Sequence, residues 1–363
     1  MYLPSTAPEL IDLLAESGIL APQYLEQIRS QVPPPGTPGH EPKEFLATLV
    51  RQQILTPYQA KRLLAGQTGG YFIGRYRILE LIGAGGMGKV YLAEQVTMKR
   101  PVALKLLPSK GSAHASGLAR FMREARAVAK LRHTNIATAY DFDQEGDIYY
   151  IAMEYVEGLD VQELVKKIGP IPWPQACHLI CQAANGLDHA RQNGLVHRDI
   201  KPGNLMVEPT GILKILDLGL VVFHAEKDSL TLADKDVILG TADYIAPEQA
   251  IDSHDVDTRA DIYSLGGVLY YMLTGQPPFP DKSVTQKLLL HQMKDPRPVK
   301  ELAPDVPDEV AAVLQKMMAK QREDRFQKPR DVREALLRFA KQAKLFDSSL
   351  VRFPRETIEQ YIR

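Results

Sequence analysis

Cysteine is nearly absent from this 363-residue chain: only Cys177 and Cys181 occur, four positions apart in a helix-like stretch. Two thiols cannot build a disulfide framework, so a reducing compartment, and with it a cytoplasmic location, is expected. No further Cys or nearby His cluster completes a zinc set, and the plainer reading of the pair is two small core residues. Net charge is missing too. Lys plus Arg and Asp plus Glu both total 44, for a formal net charge of zero. That leaves no bulk field to capture nucleic acid or an anionic membrane, and no nucleic-acid partner is expected. Long apolar runs are also lacking, since stretches such as "LGGVLYYMLTG" are too short to span a bilayer. The start, "MYLPSTAPELIDLLAESG", has no basic region followed by an apolar core and cleavage site, so no secretory leader is expected. What is present, 45% hydrophobic and 24% charged residues, is the composition of a soluble globular protein. The length suffices for two or three compact units.

Organisation along the chain begins with a Pro/Gly-rich segment, "QVPPPGTPGHEP" (residues 31–42), which breaks any helix. On either side lies a weak internal repeat at an offset of 35. It aligns Leu10 with Phe45, Leu14 with Leu49, Ile19 with Ile54, Leu20 with Leu55, Pro22 with Pro57 and Ile28 with Leu63. Each copy reads as a helix, a break at "ILAP" or "ILTP", and a second helix, because Ala or Thr before Pro suits a cap and first turn. Residues 1–66 therefore read as a small all-helical unit, either a docking or regulatory module or an appendage covering part of the next domain. From Tyr76 the period changes to two. "RYRILELIGAGG", "GKVYLAEQV" and "RPVALKLL" alternate as antiparallel strands, and "IATAYDFD" and "IYYIAMEY" flank the turn "QEGD" after an expected helix, "ASGLARFMREARAVAKLR". Beyond Gly158 the pattern is mostly helical: residues 161–168, 173–193, 259–274, 283–293, 307–320 and 329–344. The reading is α+β with two lobes, 76–157 and 158–340, a short tail at 341–363, and a ligand cleft at the lobe junction.

Several short stretches carry chemistry. "LIGAGGMGKVYLAE" spaces Gly83, Gly85 and Gly88 as G-x-G-x-x-G between strand patterns, where glycines let backbone N–H groups approach phosphates. A dinucleotide-binding turn needs a helix after the glycines. "KVYLAEQV" is a strand, which disfavours NAD. Lys105 sits among apolar neighbours in "PVALKLL" and needs an anion, since an unpaired buried ammonium is costly. On the helix "LARFMREARAVAKL", Glu124 lies within the apolar stripe of Phe121, Ala125 and Val128 and is the candidate partner. Asp217 follows the apolar strand of "KILDLGL" and suits Mg²⁺, which prefers oxygen ligands; taken alone, D-x-G is only a turn. The stretch "GLVHRDIKPGNLMV" sets His197, Arg198, Asp199, Lys201 and Asn204 around Pro202 and Gly203, which discourage a regular helix or strand.

In this order and spacing the pieces resemble the protein-kinase signature set of the serine/threonine branch, closest to the bacterial kinases that share the eukaryotic fold. The resemblance covers residues 76–340. It implies an antiparallel five-stranded lobe with one main helix and a mostly helical second lobe, preceded here by the helical unit. It implies ATP and Mg²⁺ as cofactors and protein serine/threonine hydroxyls as substrate. Ile82, Gly83, Ala84, Gly85, Gly86, Met87, Gly88, Lys89 and Val90 would cover the nucleotide, with Ala103 beside it. Lys105, paired with Glu124, would contact the α- and β-phosphates. Met153 would be the gatekeeper, Glu154 to Val156 the hinge, and Asp160 the ribose contact. Asp199 would be the catalytic base and Lys201 would steady the transferring phosphoryl, while Asn204 and Asp217 held Mg²⁺. "GTADYIAPEQ" would be the substrate loop, carrying Thr241 and Tyr244. Glu248 would pair with Arg325, Asp261 would brace the catalytic loop, and His197 would be a buried structural partner.

Two departures from the family pattern stand out. Leu218 replaces the commoner Phe of D-F-G and, being apolar, can fill the same slot. In the activation segment, Ala233 and Lys235 occupy positions where related kinases carry activating threonines, leaving Ser229 and Thr231 as candidate phosphosites. Either Asp234 or Asp236 supplies standing negative charge to Arg198, making activation-segment phosphorylation less necessary than usual, or phosphorylation occurs in a shifted register. A small-molecule phosphotransferase is disfavoured by the substrate-loop motif, and tyrosine specificity by Lys201. If residues 1–66 are a docking module rather than a covering appendage, a regulatory partner is expected to act through them.

Overall fold

The computed structural model describes residues 3–85, 88–106, 128–218, 242–251, 255–344 and 346–351. It divides into two compact units. One takes in Met1–Ser109 and Asp141–Tyr155, the other Lys110–Tyr140 and Val156–Phe353.

The first unit opens with two helix pairs, α1 (Ala7–Ser17) with α2 (Pro22–Ser30) and α3 (Pro42–Arg51) with α4 (Pro57–Leu64). The second helix of each pair starts on the Pro of the break motif, as the repeat implies. Thr56 caps α4 through a capping box with Gln59, whereas Ala21 offers α2 no side-chain cap. Repeat-equivalent Leu10 and Phe45, Leu14 and Leu49, and Ile28 and Leu63 all lie in one core with Leu55 and Tyr71. Each such side chain contributes about 1.5–3 kcal/mol by leaving water.

After the helices come β1 (Phe72–Ile73), β2 (Tyr76–Gly85), β3 (Gly88–Gln95), β4 (Arg100–Leu106), β5 (Ala139–Glu145) and β6 (Ile148–Glu154), in the sheet order β1-β2-β3-β4-β6-β5. Five strands match the expected ones. Strand β1 is an addition, and its two residues are too few to show a period. The sheet's core gathers Ile73, Tyr76, Ile78, Tyr91, Val102, Leu104 and Tyr150.

The second unit contains α5 (Val161–Ile168), α6 (Trp173–Gln192), α7 (Pro247–Ile251), α8 (Thr258–Thr274), α9 (Val284–Met293), α10 (Val299–Leu302), α11 (Asp308–Met317), α12 (Pro329–Ala340) and α13 (Ser348–Val351). Short strands β7 (Leu159–Asp160), β8 (Leu205–Val207) and β9 (Leu213–Ile215) form a second sheet in that order. Helix α8 is buried nearly all round, as a central core helix must be. Its Leu265 and Leu269 lie in one core with Leu179, Ile180, Leu314 and Leu336. Cys177 and Cys181 are free thiols in the same core, and burial pushes both up to about 12.

Candidate active site

The segment 197–204 is held from three sides within the second unit. From α8, the Asp261 carboxylate accepts the backbone N–H of His197 and of Arg198, both at 2.8 Å. Burial pushes the Asp261 carboxyl up, while His197, Arg198 and the two amides act in the opposite direction. His197 is fully buried. Its Nδ1 accepts the Asp199 amide at 3.2 Å, so Nε2 carries the proton and donates to Leu216 O at 2.8 Å. Both ring nitrogens are therefore committed to structure, the role expected of His197. Arg198 adopts a left-handed backbone (φ 67°), and its carbonyl accepts from Gln249 Nε2 at 2.9 Å. A non-glycine residue there costs of order 1 kcal/mol or more, which these bonds offset.

The chemistry-bearing side chains meet inside this frame. Lys201 Nζ lies 2.8 Å from Asp199 Oδ2. Asn204 Nδ2 donates to Asp199 O at 2.7 Å and to Asp199 Oδ2 at 3.0 Å. Asp199 is buried, with only 2% of its side chain exposed. Leu216 N donates to Asn204 O at 2.9 Å, tying the loop to the chain that leads into Asp217. Asp217 is itself left-handed (φ 53°). Leu218 is buried with Val128, Leu131, Ile136 and Ala190, filling the apolar slot expected for it. Asp160 ends β7 and caps α5, accepting the Glu163 amide at 2.8 Å. Just before it, Gly158 is obligatory, because a Cβ there would lie 2.1 Å from Val207 O. Burial raises the Asp160 pKa to about 6.

In the first unit the sheet register brings the other predicted residues into line. Gly83 pairs with Val90, Val90 with Lys105, and Lys105 with Ile151, forming one row across four strands. Directly paired residues share a face. Ala103, two positions before Lys105 and so on that same face, pairs with Met153, and Val102 pairs with Glu154. Lys105 is 3% exposed. Gly85 pairs with Gly88, and Gly86 and Met87 lie outside the described residues. A Cβ on Gly83 would meet Val90 at 3.7 Å, an ordinary contact, so the protein's own packing does not demand glycine there. Ile82, Ala84 and Lys89 belong to the two arms of this hairpin. Val156 is buried and opens the longer stretch of the second unit. Glu124, Ser229, Thr231, Ala233, Asp234, Lys235, Asp236 and Thr241 lie outside the described residues.

Tyr244 is buried edge-on against Tyr271, with ring centroids 6.4 Å apart, and burial raises its hydroxyl far above the usual range. The expected Glu248–Arg325 pair is bidentate, at 2.7 and 2.8 Å. Two residues escaped sequence reasoning. On α9, Lys287 Nζ lies 2.6 Å from Asp243 Oδ1, and His291 Nε2 bonds Asp243 O at 3.1 Å. Tyr263 Oη lies 2.9 Å from the other His291 nitrogen, and burial lowers that imidazole to about 4. Their spacing of four on one helix face was the available sign, but nothing in it names Asp243 as the target.

Comparison with known proteins agrees with this architecture. Residues 76–336 match the model of the protein kinase domain family, and the chain belongs to that family. Serine/threonine-protein kinase PknB of Mycobacterium leprae is 37% identical over 268 residues, 73% of this chain and 43% of that protein. Serine/threonine-protein kinase PrkC of Bacillus subtilis is 37% identical over 287 residues, 79% of this chain and 43% of the relative. The chain thus spans less than half the length of these relatives. The crystal structure of the Mycobacterium tuberculosis PknI kinase domain superposes with a TM-score of 0.59 at 27% identity, covering 75% of this chain and 98% of that one.

Proposed function

We propose that the protein is an ATP-dependent serine/threonine protein kinase acting in cytoplasmic signalling. The observation that carries this reading is the Asp199–Lys201–Asn204 cluster around the buried Asp199 carboxylate, held in place by Asp261 and His197. Phosphoryl transfer needs positioning and charge neutralisation more than covalent chemistry, and the cluster offers both.

In this reading the substrate hydroxyl oxygen bonds to the γ-phosphorus of ATP as the bond to the β–γ bridging oxygen breaks. The hydroxyl proton passes to the Asp199 carboxylate, leaving ADP and a phosphorylated serine or threonine. Lys201 faces the transferring group, and Lys105 the α- and β-phosphates. Glycines 83, 85 and 88 let the hairpin backbone approach the nucleotide. Asn204 and Asp217 suit Mg²⁺: the Asn204 amide hydrogens are spent on Asp199, leaving its Oδ1 for a hard cation, and Asp217 adds a carboxylate. When bound, that ion neutralises phosphate charge. Asp160, ionised above about pH 6, accepts ribose hydroxyl hydrogens. Asp243 and Tyr244 form part of the loop that docks protein substrates.

The test is to incubate the purified chain with Mg²⁺ and γ-labelled ATP, using myelin basic protein as acceptor, and to hydrolyse the product to phosphoamino acids. Label on phosphoserine and phosphothreonine is expected. Label on phosphotyrosine alone, or none on protein, would contradict the proposal.

A further inference from the structure

We propose that Thr56 and Gln59, at the start of α4, are positioning residues for nucleotide binding. They fix the bend in β2 from which the glycine-rich hairpin projects. The inference rests on the reading of that hairpin as the ATP-covering loop, and it gives the helical repeat a function in that site.

Strand β2 is irregular where α4 meets it. Ile78 pairs with Ala93 and Glu80 with Leu92, so Leu79 is an extra residue with no partner on β3. Such a bulge bends its strand and removes a carbonyl from the ladder. A buried carbonyl left unpaired costs roughly 1–3 kcal/mol. Here the Thr56 hydroxyl donates to Leu79 O at 2.6 Å, and Gln59 Nε2 donates to Ile78 O at 2.7 Å. Both side chains are buried, 4% and 2% exposed. Each also serves the helix. Thr56 Oγ1 accepts the Gln59 amide at 3.1 Å, and Gln59 Oε1 accepts the Thr56 amide at 3.0 Å. One pair of side chains thus starts α4 and completes the bulge.

The other arm of the hairpin is touched as well. Tyr58, between the two, packs edge-on against Tyr91 at 6.1 Å, one residue from Val90. Arg62, one turn on, donates to Tyr58 Oη at 3.3 Å and to Gly69 O at 2.7 Å. The bulge lies only four residues before Gly83. A second irregularity follows in the same strand at Ile82, between the pairs Leu81–Tyr91 and Gly83–Val90, so the angle set at Leu79 reaches the paired row of Gly83, Val90 and Lys105 through this second bend.

The capping chemistry separates the two duties. Asp at 56 and Glu at 59 still cap a helix, but neither side chain, when ionised, can donate to a carbonyl. In the full chain, Thr56→Asp and Gln59→Glu, singly, should raise the KM for ATP about fivefold or more, while the KM for myelin basic protein stays within about twofold. Thr56→Ser keeps both duties and should behave as wild type. Gln59→Met supplies a neutral variant should the charged ones fail to fold, with the same rise in KM for ATP expected. A merely structural role would lower melting temperature and turnover without moving that KM. Lys105→Met controls the underlying reading. If it impairs ATP use and the α4 variants leave the KM for ATP within twofold, the proposal is overturned; if Lys105→Met has no effect, the reading of the site itself fails.

Discussion

Asp160 caps α5 and, in the proposed reading, also faces the ribose, and its pKa matters to both duties. Burial lifts it from the ordinary carboxylate value near 4 to about 6. Because the folded value lies above the unfolded one, folding takes up a proton between those pH values. The group's stabilising contribution is complete below about pH 4 and is lost as pH rises through 6. Asp160→Asn keeps an oxygen for the Glu163 amide and removes the titration. Relative to wild type, the variant should gain about 1–2 kcal/mol between pH 5 and pH 7, read from urea unfolding at each pH. An unchanging difference would show that burial does not set this pKa. Other residues were legible to different degrees. Asp199, Asn204 and Asp217 stand out in sequence because the motif spacing is specific. The twofold structural use of the His197 ring was less visible, since it depends on the Leu216 carbonyl and Asp199 amide coming together.

At the scale of elements, α7 is joined to the turn after α11 by one guanidinium. Arg325 has five N–H donors and all five are used: Nε on Ala319 O, one terminal nitrogen on Glu248 and Arg259 O, the other on Glu248 and Lys320 O. Its side chain is fully buried and lies 4.9 Å over the Tyr263 ring. Lysine at 325 would keep the charge but lose the fork, stranding buried acceptors. Arg325→Lys should cost about 3–5 kcal/mol and lower the melting temperature by roughly 10 °C. A fall of less than about 3 °C would show that charge alone suffices. Element positions were largely readable from period and caps, because long amphipathic or fully apolar stretches leave few alternatives; α8 is such a stretch. Short pieces were not. Strand β1 and helices α7 and α10 are too brief for a period to appear, and contacts distant in sequence decide them.

For the whole molecule, there are two compact units: the first buries a helical core and a separate sheet core, and the second a core of helices with a short sheet. The amino-terminal helices were recognisable from their repeat and the Pro-led second helix of each pair. Their union with β2 was not, because it depends on two side-chain donors meeting carbonyls 19 and 23 residues away. No helix among the described residues is long and apolar enough to cross a membrane. Central to the proposed activity is the buried Asp199 carboxylate, which takes the proton in phosphoryl transfer to protein hydroxyls. Asparagine at 199 is nearly the same size and can still meet Lys201 and Asn204, but its amide is a far weaker base. The most direct measurement is steady-state phosphorylation of myelin basic protein by the wild-type chain and by Asp199→Asn, with melting temperatures alongside. Turnover should fall by about 100-fold or more, with the KM for ATP within about threefold and the fold intact. Turnover within twofold of wild type in a folded Asp199→Asn protein would contradict this role.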